Sequence, residues 1–211
     1  MNRTLLSVAT LALLASTQTF AAAAKDEAYC PPEQSPATVV ASTVAPKLNS
    51  FVHSARTGDT DALKKALDEG VAINVFDNLD QTALIAAVSQ SKLDAVKLLV
   101  KRGADVNLVD RAGWSPLHFA VYFSTDTAVI DTLIAGGAKL NAQNDRGITP
   151  LYFASITGHE LQVKRLIAAG ADRNVASKSG YTPLRVAQIK GLQGTAALLS
   201  PAVQKDQPSA A

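Results

Sequence analysis

The sequence has little of what catalytic and metal-binding proteins need. It holds one cysteine, Cys30, and three scattered histidines, His53, His118 and His159. A lone thiol closes no internal disulfide within these residues, and this set has no metal-ligand spacing. Aromatic residues are 5% of the chain, and tryptophan occurs once, at Trp114. Sheets favour aromatic and β-branched side chains, so a 47% hydrophobic composition dominated by Ala and Leu points to packed helices. An excess of one charge is missing too: 20 Lys plus Arg stand against 18 Asp plus Glu. A chain so near neutrality has no broad field to draw it to nucleic acid. Glycines recur singly rather than in a loop that could cradle phosphate, so no cofactor is expected. Paired carboxylates such as Asp59/Asp61 and Asp68/Glu69 read as solvated helix charges. No active site emerges.

What is present begins with a leader. Arg3 supplies a positive start, Leu5 to Ala15 an apolar stretch, and Ser16 to Thr19 a polar break before the small residues Ala21–Ala24. That order predicts a secretory signal peptide over residues 1–24. Its apolar run is shorter than the roughly 20 residues a permanent span needs, so no membrane span is expected after cleavage. Residues 25–46, with Pro31, Pro32, Pro36 and Pro46, read as an extended linker. Bulky Tyr29 before Cys30 argues against a lipid anchor there; a free thiol or a Cys30-linked dimer remains. The one glycosylation sequon, Asn2-Arg3-Thr4, falls in the leader, which fits a bacterial periplasmic protein.

After Lys47 the chain repeats itself. Gly70, Gly103, Gly137 and Gly170 each open a Gly-x-x-x-Asn segment and stand 33, 34 and 33 residues apart. In phase with them run Thr82-Ala-Leu-Ile, Ser115-Pro-Leu-His, Thr149-Pro-Leu-Tyr and Thr182-Pro-Leu-Arg. Thr or Ser before Pro is a helix start, the hydroxyl capping a free N–H while proline fits the first turn. Leu84, Leu117, Leu151 and Leu184 then point into the stack. A second helix carries Leu98-Leu99, Leu133-Ile134, Leu166-Ile167 and Leu198-Leu199, and the glycines end it in a left-handed conformation. Asp110-Arg-Ala-Gly113 and Asn144-Asp-Arg-Gly147 supply turns.

This pattern resembles the ankyrin repeat, whose period is about 33 residues and whose signature includes T-P-L-H-x-A. The resemblance implies an all-α solenoid of about five helix-turn-helix units with projecting β-hairpin turns. The units fall at about 47–77, 78–110, 111–144, 145–177 and 178–200, the outer two as caps, before a disordered tail at 201–211. It also implies a structural His118, bonded to backbone and hydroxyl partners. The extra residue of the 111–144 repeat falls in its inter-helix turn, around Phe123 to Thr127.

The family binds partners through hairpin tips and the concave face of the first helices. Carried over by register, that groove holds Trp114, Tyr122, Phe123, Ile148, Ile156, Tyr181 and Ile189, with Arg111, Arg146, Lys178 and Lys190 on its rim. Trp114, between Gly113 and Ser115, is expected to be largely exposed and the main anchor. An apolar strip with a charged rim is what binding surfaces look like. The resulting expectation is a non-catalytic module binding a protein partner. Resemblance to exported bacterial ankyrin proteins implies either an immunity protein against a toxin or an accessory factor for an envelope enzyme. The rival class is a secreted hydrolase with an unrecognised site.

Overall fold

The computed structural model describes residues 46–123 and 127–200. The expected leader, the linker up to residue 45, the turn residues 124–126 and the tail 201–211 lie outside the described residues. Among the described residues ten helices form five pairs: α1 (Pro46–Thr57) with α2 (Thr60–Asp68), α3 (Ala83–Ser89) with α4 (Leu93–Lys101), α5 (Pro116–Phe123) with α6 (Thr127–Ala135), α7 (Pro150–Thr157) with α8 (Glu160–Ala168), and α9 (Pro183–Ile189) with α10 (Gln193–Leu199). Pro46, expected as the end of the linker, instead opens α1, a place proline tolerates because the first-turn N–H has no intrahelical partner.

In the last four pairs the residue before the first helix carries a hydroxyl. Thr82, Thr149 and Thr182 each accept a hydrogen bond from the amide three residues on, at 3.2, 3.1 and 3.3 Å. Ser115 departs from that expectation. Its hydroxyl sits 2.8 Å from His118 Nδ1, and the same ring nitrogen accepts from the Ser115 amide at 3.2 Å. The histidine thus reaches back to the helix start, as the glutamate of a capping box does. The second helix of each of the first four pairs ends at a left-handed glycine, Gly70, Gly103, Gly137 or Gly170, with φ from 87° to 98°. There the next amide bonds back to a carbonyl in the last turn, as Ala104 does to Leu99 at 3.0 Å and Ala171 to Leu166 at 2.9 Å.

Leu84, Leu117 and Leu151 are buried as expected, while Leu184, on the last first-helix, is half-buried. The doubled apolar pairs of the second helices are not in phase with one another. The residues that reach the core are Leu99, Leu133, Leu166 and Leu199, so the buried member comes second in Leu98-Leu99 and first in Leu133-Ile134. The projecting hairpins are tight turns: among the described residues no strand forms, and one isolated bridge joins Phe76 to Thr82. A ladder of asparagines ties repeat to repeat. Asn74 accepts from the Asp105 amide, Asn107 from Lys139 and Asn141 from Asp172, at 2.8 to 2.9 Å.

Candidate partner-binding face

Four turns project from the stack, and each is built the same way. The amides of Asp77, Asp110, Asn144 and Ser177 donate to the carbonyls of Gln81, Trp114, Ile148 and Tyr181. In the first three, a side-chain oxygen locks the loop from inside. Asp110 Oδ1 accepts from the Ala112 and Trp114 amides, and Asn144 Oδ1 from those of Arg146 and Ile148. The residue before each helix start is therefore held at a fixed angle, which aims Trp114 and Ile148 over the first helices. Burial raises the Asp110 carboxyl above the usual carboxylate range, the two amides pull it back, and Asp145 and Asp80 push it up again.

The turns also bond to one another. The Asp145 amide donates to Ala112 O at 3.1 Å and the Lys178 amide to Arg146 O at 2.9 Å. These approaches need glycine: a Cβ on Gly147 would come 2.7 Å from the Lys178 nitrogen, and one on Gly113 3.0 Å from Asp145. Asp80 stands at the equivalent place one repeat earlier, with a left-handed φ of 54°. There the link is a side-chain ion pair, Asp80 with Arg111.

Above the turns lies an aromatic cluster. Trp114 meets Phe153 edge-on at 5.1 Å and Phe119 at 6.2 Å. Phe119 stacks on Phe123 at 6.2 Å, Phe123 meets Tyr122 edge-on at 4.5 Å, and Tyr122 touches Phe153 at 5.4 Å. The five rings close a circuit across two repeats, in the geometries that aromatic quadrupoles favour. His118 lies beneath, 5.4 Å from Trp114. Its Nε2 donates to the Ile148 carbonyl of the next repeat at 2.9 Å, so the ring is neutral with both nitrogens engaged. Burial pushes its pKa down from 6.5 to about 4.

This arrangement corrects one expectation: Trp114 is half-buried rather than largely exposed, because Phe119 and Phe153 flank it. Neither phenylalanine belongs to the groove that the register implies. Both occupy the place after the fourth motif residue, and the four-residue step from Phe119 to Phe123 was the available signal. Trp114, Tyr122 and Phe123 are brought together. Of the expected groove residues, Ile148 and Ile156 are half-buried, while Phe123, Tyr181 and Ile189 are open, 44%, 38% and 54% exposed. Arg111, Arg146, Lys178 and Lys190 are exposed. Among the described residues no group of three or more His, Cys, Asp and Glu converges to hold a metal, and no helix is long and apolar enough to cross a membrane.

The family profile described as "Ankyrin repeats (3 copies)" matches residues 51–144 and 117–208, most of the chain. The chain belongs to the ankyrin-repeat family. It is similar to the Notch-regulated ankyrin repeat-containing protein of Xenopus tropicalis, 42% identical over 76 residues that make up 34% of this chain and 67% of that protein. It is also similar to the human ankyrin repeat domain-containing protein 63, 36% identical over 97 residues, or 44% of this chain and 25% of that one. A third relative, the Caenorhabditis elegans homolog of transient receptor potential cation channel subfamily A member 1, is 31% identical over 141 residues, 55% of this chain and 12% of the channel. This chain thus spans a quarter or less of the length of the last two. Ankyrin repeats indicate a protein–protein interaction module.

Proposed function

We propose that this chain is a non-catalytic binding protein exported to the bacterial periplasm, gripping a protein partner with its first helices and turns. The observation that carries the binding reading is the aromatic circuit with Phe123 open at its edge. Five rings gathered on one side of two neighbouring repeats form an apolar anchor site, and charged residues on the turns give it a polar rim. Inhibition of a toxin and support of an envelope enzyme would both use such a face. Export is supported by the leader-like order of residues 1–24 alone, since the relatives above come from animals.

Two measurements test the two halves. N-terminal sequencing of protein from the cell envelope should find cleavage within residues 21–25; intact Met1 in the cytosol contradicts export. For binding, Phe123→Ala should weaken partner capture by about 2 kcal/mol or more with the fold retained. Trp114→Ala should weaken capture and lower stability together, because that ring also packs. Lys97→Ala, exposed on the second helix α4, should change neither. Equal loss from Phe123→Ala and Lys97→Ala would move the interface elsewhere.

A further inference from the structure

The charges on this face are unevenly distributed, and the imbalance says what kind of segment it receives. On the turns and first helices of the earlier repeats the arginines have carboxylates near them. Arg56 is held by buried Asp77 at 3.1 Å, Arg111 pairs with Asp80, and Arg146 follows Asp145 in the chain. The last repeat differs. Between Lys178 and Ser200 there is no Asp or Glu, whereas Lys178, Arg185 and Lys190 are all present and exposed. None of the three makes a salt bridge among the described residues. Lys178 stands on the turn and Lys190 at the end of the first helix, flanking Tyr181 and Ile189. Arg185 takes the motif position at which His118 reaches the following repeat, so its charge sits at the end of the stack.

We propose that the face accepts an acidic peptide segment of its partner, with an aromatic or long aliphatic side chain seated on the Phe123 edge and carboxylates over Lys178 and Lys190. This deepens the binding reading above and rests on it. The arrangement gives the segment a direction. Neighbouring helices pack about 10 Å apart, and an extended chain advances about 3.3 Å per residue. The Lys178/Lys190 positions lie one to two repeats beyond the cluster, so the acidic residues fall roughly three to six residues to one side of the anchor. A neutral segment would leave the unpaired cations unused, and a basic one would meet like charge, a standard way to reject wrong partners.

The test is selection of a random linear peptide library on the full chain, followed by binding measurements on the enriched peptides. The proposal expects an aromatic or aliphatic anchor with Asp or Glu roughly three to six residues away on one side. Binding should fall about tenfold or more in Lys178→Glu/Lys190→Glu and weaken as salt rises. It should fall similarly in Phe123→Ala and persist in Lys97→Ala, with unchanged thermal melts as the check on folding. Neutral or basic peptides that are lost on Phe123→Ala would overturn the acidic specificity while leaving the binding face in place. Neutral or basic peptides indifferent to Phe123→Ala, or no enrichment at all, would overturn both. Enriched acidic peptides without an anchor, bound equally well by Phe123→Ala, would overturn the directional segment.

Discussion

His118 is the residue on which local and long-range structure meet. Its Nδ1 receives the Ser115 amide at its own helix start, and its Nε2 holds the Ile148 carbonyl one repeat on. The bond that Nδ1 accepts requires the neutral ring, and burial holds the folded pKa at about 4, below the usual 6.5, although the Ile148 bond favours the charged form. A group buried neutral contributes stability above its unfolded pKa, and that contribution is lost as pH falls from 6.5 toward the folded value. The loss at the bottom of that window is about 3 kcal/mol. Urea titrations at about pH 7.5 and about pH 5 should show about 2 kcal/mol of that loss before the carboxylates respond. Asp110 acts in the opposite sense: its raised pKa makes the ionised form the costly one, so its cost disappears as pH falls. In His118→Tyr, the residue this chain uses at equivalent Tyr152, the decline should disappear. An unchanged decline in that variant would assign the pH dependence elsewhere. Trp114 is not legible from its chain neighbours Gly113 and Ser115, because Phe119, from the following helix, and Phe153, from the next repeat, decide its burial.

At the scale of elements, the helix starts at Thr82, Thr149 and Thr182, the glycine ends and the burial of Leu84, Leu117 and Leu151 were legible, whereas Ser115 and Leu184 depart from the pattern. The doubled pairs of the second helices do not by themselves tell which member is buried, since two adjacent apolar residues lie about 100° apart on a helix. The repeat phase does: the buried Leu99, Leu133 and Leu166 each stand four residues before the terminal glycine. Leu117 and Leu151, both wholly buried with repeats on either side, should each cost roughly 2–5 kcal/mol on replacement by Ala. Lys178→Ala should stay within about 0.5 kcal/mol. Denaturant titration of the three separates them, and leucine variants that unfold like the parent would contradict the packing. The turns allow a second comparison. Gly147 and Gly180 share a left-handed backbone, φ 73° and 80°, but a Cβ at 147 meets the Lys178 nitrogen whereas one at 180 meets nothing. Gly180→Ala should cost about 1–2 kcal/mol for the conformation alone. Gly147→Ala should cost more, by the amount needed to break the bond between adjacent turns. Equal losses on unfolding would show that the close approach between the turns carries no stability.

At the scale of the whole molecule, the stack is held by contacts between neighbours: the asparagine ladder, the turn-to-turn bonds and one histidine link. Such an array stands on nearest-neighbour terms, and its repeated face is where binding specificity is written. The face here runs from neutral polar side chains at Gln81, Ser89 and Gln90, through the aromatic circuit, to the uncompensated lysines of the last repeat. The outer side has ion pairs that are already matched, Asp68 with Arg102 and Asp131 with Arg165, and exposed pairs of this kind add little to stability. Site-specific photo-cross-linking in living cells tests the central claim most directly, with the reactive side chain placed at residue 123 in one variant and at residue 97 in another. The binding account predicts a single discrete protein adduct from position 123 and none from position 97. An adduct from position 97 alone, or equal labelling from both, would contradict it.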